Sequence, residues 1–393
     1  MAKGARDGRQ DGSVPRRRGL RPRADGRGWH GYRQPRLGSG REPAERPRSS
    51  GPRSLARAGA RDRCVSVSPQ AQSLRHAVAE CIEGGAVVVG CSGGPDSLVL
   101  ADAAAWAVPR AGGSLTVCIV DHGLQTDSAQ VAQDAAKICR GTGIDDVEIK
   151  QVQVVDGGGP EAAARRARRA ALEEMARERG SQQILLAHTL DDQAETVLLR
   201  LARGSGARSL AAMRSCDPPW HRPFLGITRS QVHQVAQERF TARGFDPWDD
   251  PHNHDPRYAR VRVRRNLRTL EAELGPGLAS SLARSAALLG DDAEALETWT
   301  HGEFERIVEC EPGRCSASTD ALLELPRAIR TRIIRAMHQQ LAGIGDDLTF
   351  DHIQQVEAMV SRWKGQGPAR LPGPVEAGIE CGRLTLTAEF REI

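Results

Sequence analysis

At 393 residues the chain is long enough for two domains whose cores need no disulfide staples. Its formal charge of +5 is unevenly spread: residues 1–64 carry 18 Lys and Arg against 6 Asp and Glu, and the rest carry 37 against 44. A mildly acidic body excludes a surface that is basic throughout, so any anionic partner has to be met by local arginine clusters or by the basic leading segment.

Residues 1–64, rich in Arg, Gly and Pro, read as a disordered basic tail. No apolar run approaches the ~20 residues of a membrane span, and no leading hydrophobic stretch suits a secretory signal. The nine cysteines are scattered without a C-x-x-C pair, which predicts reduced, mostly buried thiols in a cytoplasmic protein. The same scatter argues against a zinc or iron–sulfur centre built on paired cysteines.

From residue 65 the texture alternates. Strands are expected at Ala86–Cys91, Leu115–Asp121, Val147–Val154 and Gln183–His188. Helices are expected between them, at Gln70–Ile82, Asp96–Trp106, Asp127–Arg140 and Glu161–Arg179. Buried Val/Ile/Leu runs separated by helices predict an α/β fold: a mostly parallel sheet with helices on both faces, over residues 65–245. After the loop Asp246–Tyr258 the pattern turns helical through about Leu341, with another helix at Phe350–Trp363 and a short C-terminal hairpin. Residues 246–393 are therefore read as a mainly helical second domain.

The first strand runs into "SGGPDS", Ser92–Ser97, and then into an apolar helix. Gly93 and Gly94 let backbone amides approach an anion, and a helix N-terminus points unpaired N–H groups at the same spot. Ser92 and Ser97 add hydroxyl donors. The Walker pattern and its lysine are absent, which favours attack at an α-phosphate with pyrophosphate leaving. Asp96 in such a site calls for a cation, Mg²⁺. The plain alternative is a helix cap made by Asp96 or Ser97. Thr189-x-x-Asp192 poses the same choice: it fits a capping box, yet Asp192 and Glu195 share a helix face next to a strand end.

SGGPDS after a strand resembles the signature of the PP-loop ATP pyrophosphatases. The block Ala187–Met213, with Val120–Gln125, Gly159–Glu174, Arg222–Arg229 and Asp250–Arg265 in the same order, resembles the tRNA(Ile)-lysidine synthase family. Gln125 and Ala187 depart from its usual residues. The resemblance implies ATP-dependent adenylation of the wobble cytidine of a CAU-anticodon tRNA(Ile). The ε-amine of free L-lysine then attacks, and AMP leaves.

It also implies roles. Ser92, Gly93, Gly94, Pro95, Asp96, Ser97, Asp121, His122, Arg165 and Arg168 would hold the nucleotide. Asp96, Asp192, Glu195 and Arg260 would be catalytic, with Asp96 and Asp192 on Mg²⁺ and Arg264 among the basic positions. His188 is an open position, structural or functional. A homodimer without membrane contact is expected. The rivals are a tRNA thiolase of the same fold, which would use paired cysteines, and a non-catalytic RNA-binding protein.

Overall fold

The computed structural model describes residues 67–123, 127–154, 160–343 and 348–388. The basic tail and Gln125 lie outside these. The chain runs α1 (Pro69–Cys81), β1 (Ala86–Cys91), α2 (Pro95–Arg110), β2 (Ser114–Asp121), α3 (Ser128–Gly141), β3 (Val147–Gln151), α4 (Pro160–Glu178) and β4 (Gln183–Leu185). It continues through α5 (Leu190–Leu201), α6 (Ala207–Leu210), β5 (Cys216–Asp217), β6 (Trp220–His221) and α7 (Arg229–Arg239).

These strands form one sheet in the order β3-β2-β1-β4-β6-β5, parallel except for the β5–β6 edge. Helices cover both faces. The side chains of Val87, Val89 and Cys91 pack with α1, α2, α3 and α7, and Val88 packs with Leu172 and Met175 of α4. A strand buried on both faces explains why "AVVVGC" shows no polar alternation. Gly90 is required by close approach: a Cβ there would come 3.0 Å from Leu172 Cδ1 and 3.2 Å from Leu186 Cδ2.

The strand order places the site. From β1 the chain moves outward to β2 and β3, then returns to the other side of β1 as β4. The loops leaving β1 and β4 therefore diverge at a topological switch point, outside the carboxyl ends of neighbouring strands. Ser92–Ser97 follows β1, and Asp192 and Glu195 follow β4.

The remaining elements are α8 (Ala259–Leu274), α9 (Leu278–Ile307), β7 (Val308–Glu311), β8 (Arg314–Ser318), α10 (Thr319–Glu324), α11 (Arg327–Ala342), α12 (Phe350–Ser361), β9 (Ala369–Leu371), β10 (Val375–Glu380) and β11 (Arg383–Ala388). The helices α8 and α9 pack on α5. Beyond them the reading as helix through Leu341 needs correction. Residues 308–318 form a hairpin in an antiparallel sheet of order β7-β8-β11-β10-β9. Pro312-Gly313 makes the turn, with Gly313 at φ +77°. The second core lies between this sheet and α11 and α12, built on Ile329, Ile333, Met337, Val356 and Leu386.

The cysteine expectation also needs correction. Cys310 and Cys315 face each other in the β7–β8 register and are joined as a disulfide. Cys91, Cys118 and Cys139 are buried free thiols, whereas Cys216 and Cys381 are exposed. No helix among the described residues is long and apolar enough to cross a membrane.

Candidate active site

The glycine turn is braced from within. Ser97 is buried, and its Oγ accepts the Ser92 amide at 3.1 Å and donates to the Gly94 carbonyl at 3.0 Å. Ser97 thus holds the loop's shape, while Ser92 is exposed at its mouth. Gly93 sits at φ +81°, where a Cβ would also come 3.0 Å from Ala135 Cβ. Gly94 caps α2 and Pro95 begins it. The amides of Asp96 and Ser97, in the first turn of α2, have no intrahelical acceptor and are available to an anion.

Above the turn lies the loop after residue 245, drawn from sequence as the start of the second domain. The Trp248 amide donates to the Gly93 carbonyl at 2.9 Å. This loop is part of the rim.

The cap at Thr189–Asp192 forms, and the same carboxylate also reaches α7. The capping box is present, with Asp192 Oδ2 accepting the Thr189 amide and hydroxyl at 2.8 Å each. Asp192 Oδ1 meanwhile takes Arg229 Nη2 at 2.7 Å. Burial alone would push Asp192 up, but Arg229 and the Thr189 donors hold it below the usual carboxylate range. Glu195, 1% exposed, takes Arg229 Nη1 at 3.1 Å and Arg264 Nε at 2.7 Å.

Arg229 is the hub of this group. Burial opposes its charge, yet Asp192, Glu195, Asp191 and Asp96 together raise it above its ordinary value. One guanidinium therefore feels both the acid of the glycine turn and the acids of α5. One turn along α7, His233 Nε2 lies 3.3 Å from Asp96 Oδ1. That oxygen is buried and makes no hydrogen bond, an orphan suited to a cation. No group of three or more metal-ligating side chains occurs among the described residues. Mg²⁺ commonly needs only one or two carboxylates beside substrate phosphates, so Asp96 fits it.

A second side of the rim is basic. Burial lowers His188 to about 4; Arg222, Arg165 and Arg260 push it the same way, and Asp192 pushes against them. His188 is neutral, and its Nδ1 is buried without a partner. Arg165 is lowered by desolvation and by repulsion from Arg260, Arg169, Arg222 and Arg168. Like charges held this close to one another are the signature of a site for an anion. Arg222 is itself 5% exposed with Nε unpartnered.

His122 Nε2 accepts from Arg168 Nε at 3.4 Å, and burial and Arg168 lower its pKa. Asp121 is turned into its own loop, where Oδ1 accepts the Gly123 amide at 3.0 Å. Arg168 is in turn drawn toward Asp250, beside Trp248 on the covering loop.

The structure thus brings Asp96, Asp192, Glu195, Arg165, Arg260, His188 and His122 to one rim, linked by these contacts and fields. Sequence reasoning assigned no role to Arg229, His233, Arg222 or Trp248. Arg229 stood inside the block Arg222–Arg229, but nothing in its spacing shows that it returns to acids 34 and 37 residues away.

Comparison with known proteins bears on the same rim. Residues 67–271 match the PP-loop domain family, and residues 318–385 match the TilS substrate binding domain. The tRNA(Ile)-lysidine synthase of Thermobifida fusca is 46% identical over 320 residues, 81% of this chain and 96% of that protein. The chain belongs to the tRNA(Ile)-lysidine synthase family. The enzyme of that name from Leifsonia xyli is 47% identical over 304 residues, 77% of this chain and 90% of its own. That of Streptomyces coelicolor is 44% identical over 304 residues, 76% of this chain and 84% of its own. For a lysidine synthase family member, an ATP-binding PP-loop domain is Ser92–Ser97 with its sheet, and the substrate-binding domain is the second core.

Proposed function

We propose that this chain forms a carbon–nitrogen bond, joining free L-lysine to C2 of the wobble cytidine in a CAU-anticodon tRNA(Ile). The observation that carries this is that one helix, α7, contacts both acid sets: Arg229 meets Asp192 at 2.7 Å and Glu195 at 3.1 Å, and His233, one turn on, meets Asp96 at 3.3 Å. A nucleotide in the turn and an amine on α5 would then be neighbours.

In the first step the cytosine O2 attacks the α-phosphate of ATP, forming an O–P bond as pyrophosphate leaves. Gly93 and Gly94, the first-turn amides and Ser92 grip the departing pyrophosphate. Mg²⁺, if held at Asp96, would supply charge neutralisation on the phosphates, while Asp192, with one acceptor position left, serves the amine. Arg165, Arg168 and Arg260 face the α-phosphate and later AMP, with Asp121 and His122 shaping the rim beside them. In the second step the lysine Nζ attacks C2 and the C2–O bond breaks, releasing AMP. An amine with a reference pKa of about 10.4 must shed a proton first. Asp192, held strongly acidic, anchors the ammonium as an anion and is a poor proton acceptor; the proton leaves to water.

The rim supports this reading over a non-catalytic RNA binder, because a binder has no use for an orphaned carboxylate oxygen inside a phosphate turn. Among the described residues Cys310 and Cys315 are tied in the β7–β8 hairpin, and Cys91 and Cys139, which contact each other, are buried; neither pair is presented to a substrate, which disfavours a thiolase. We read the protein as cytoplasmic and as a homodimer; sizing in solution tests the latter. The decisive experiment supplies labelled ATP, a CAU-anticodon tRNA(Ile) transcript and labelled lysine. Lysine incorporation matched by AMP release is expected; turnover that ignores lysine, or demands sulfur, overturns the proposal.

A further inference from the structure

Asp192 and Glu195 enter the proposed reaction as a pair, yet their acceptors are spent differently. A carboxylate offers about four lone-pair positions. Glu195 Oε1 takes both Arg229 Nη1 and Arg264 Nε, and Oε2 faces Arg264 Nη2 at 3.4 Å. With 1% of its side chain exposed, Glu195 has no face for a ligand. Asp192 spends Oδ2 on Thr189 twice and one position of Oδ1 on Arg229. Its Oδ1 keeps one acceptor position, on a side chain 15% exposed.

Arg229 is fixed independently of this contact. It starts α7 behind the Thr228–Gln231 capping box, and its own amide donates to Asp191 Oδ2 at 2.7 Å. The guanidinium therefore enters with its backbone already anchored, and its two terminal nitrogens reach one acid each. Asp96, Asp191, Asp192 and Glu195 all act on Arg229, whereas Arg165, Arg222 and Arg260 act on His188 together with Asp192, so Asp192 lies where the acidic and basic sides of the rim meet.

We propose that Arg229 is a positioning residue for the amine substrate: by bridging Glu195 and Asp192 it aims the remaining acceptor of Asp192 at the phosphate turn, and Glu195 acts only through Arg229. The inference rests on the lysidine synthase reading and divides its acid pair into one that meets the ammonium and one that does not.

The test uses the full chain, a CAU-anticodon tRNA transcript, ATP and lysine, with R229Q, R229K, E195Q and the R229Q/E195Q double variant. In R229Q the KM for lysine rises about tenfold or more, the loss expected for a charge-assisted hydrogen bond. Pyrophosphate release without lysine falls by a smaller factor. R229K, which keeps the charge but not the fork, lies between R229Q and the parent. E195Q resembles R229Q, and the double variant is no worse than the poorer single one, because both act through one contact. An unchanged lysine KM in R229Q, or losses that multiply in the double variant, overturns the inference. If R229Q melts well below the parent, R229K is read instead, and a lysine KM equal to the parent's overturns it. A parent chain without lysine-dependent product overturns the lysidine reading itself, and this inference with it.

Discussion

Two buried carboxylates, Glu195 on α5 and Glu357 on α12, are each held by arginine, and the surroundings of each reveal its purpose. Arg330 gives Nε and Nη2 to Glu357 Oε1 at 3.2 and 2.7 Å, and Nη1 to the Leu325 carbonyl at 3.1 Å. Glu357 Oε2 accepts from Ser361 Oγ at 3.3 Å. That pair sits among Ile329, Ile333 and Val356 and is complete. Around Glu195 the pairing is equally close, but the neighbouring rim keeps orphans: Asp96 Oδ1, His188 Nδ1, His122 Nδ1 and Arg222 Nε. Single atoms without partners occur in the second domain too, at His338 Nδ1 and Thr385 Oγ1; what sets the rim apart is that four of them gather with charged groups, where a ligand can complete the set.

The comparison breaks first at activity. Asp96→Asn and Asp192→Asn should each cut lysidine formation by at least about a hundredfold, the order seen when a charge facing a transition state is removed. Melting temperature should barely move in Asp96→Asn and should fall in Asp192→Asn, where Arg229 loses a charged partner at 2.7 Å. A variant of either kind with near-parental turnover would undo the roles given to these acids. The next effect runs the other way. Glu357→Ala leaves Arg330 charged and buried, which costs about 3–5 kcal/mol of stability. Chemical denaturation measures it, and the lysine KM of the folded fraction should match the parent's.

Much of this was legible in the sequence because burial writes itself into composition. Ala86–Cys91 is a strand in the sequence and in the fold, since a two-sided apolar run leaves few alternatives. Thr189-x-x-Asp192 announced its capping box, which forms. The β7–β8 hairpin was hidden because "VECE" and "RCSAS" carry charge and follow the 30-residue α9 without a break. The partners of the acids were hidden for another reason. Arg229 reaches Asp192 across 37 residues and Glu195 across 34, through the return of α7 to the rim, and local periodicity carries no record of that return.

A smaller effect probes His188. Its imidazole is held neutral down to about 4, whereas in the unfolded chain it protonates near 6.5. Between these values the unfolded state binds the proton and the folded state does not, so stability falls as pH drops from about 6.5 toward about 4. His188→Gln should flatten that part of the pH–stability curve. An identical slope in the variant would mean that the imidazole is charged in the fold.

The smallest expected effect belongs to the leading segment, whose 18 basic against 6 acidic residues contrast with the acidic remainder. Its attraction for tRNA is of the non-specific kind, driven by counterion release and screened within about 8 Å at physiological ionic strength. Deleting residues 1–64 should therefore weaken tRNA binding at low salt and leave turnover near parental at physiological salt. The salt slope of binding should become shallower, because fewer phosphates are neutralised. The rim of Asp96, Asp192 and the arginines acts at contact distance and does not share that sensitivity. A deletion that abolished turnover at physiological salt would move the segment from the periphery of the reaction into its machinery.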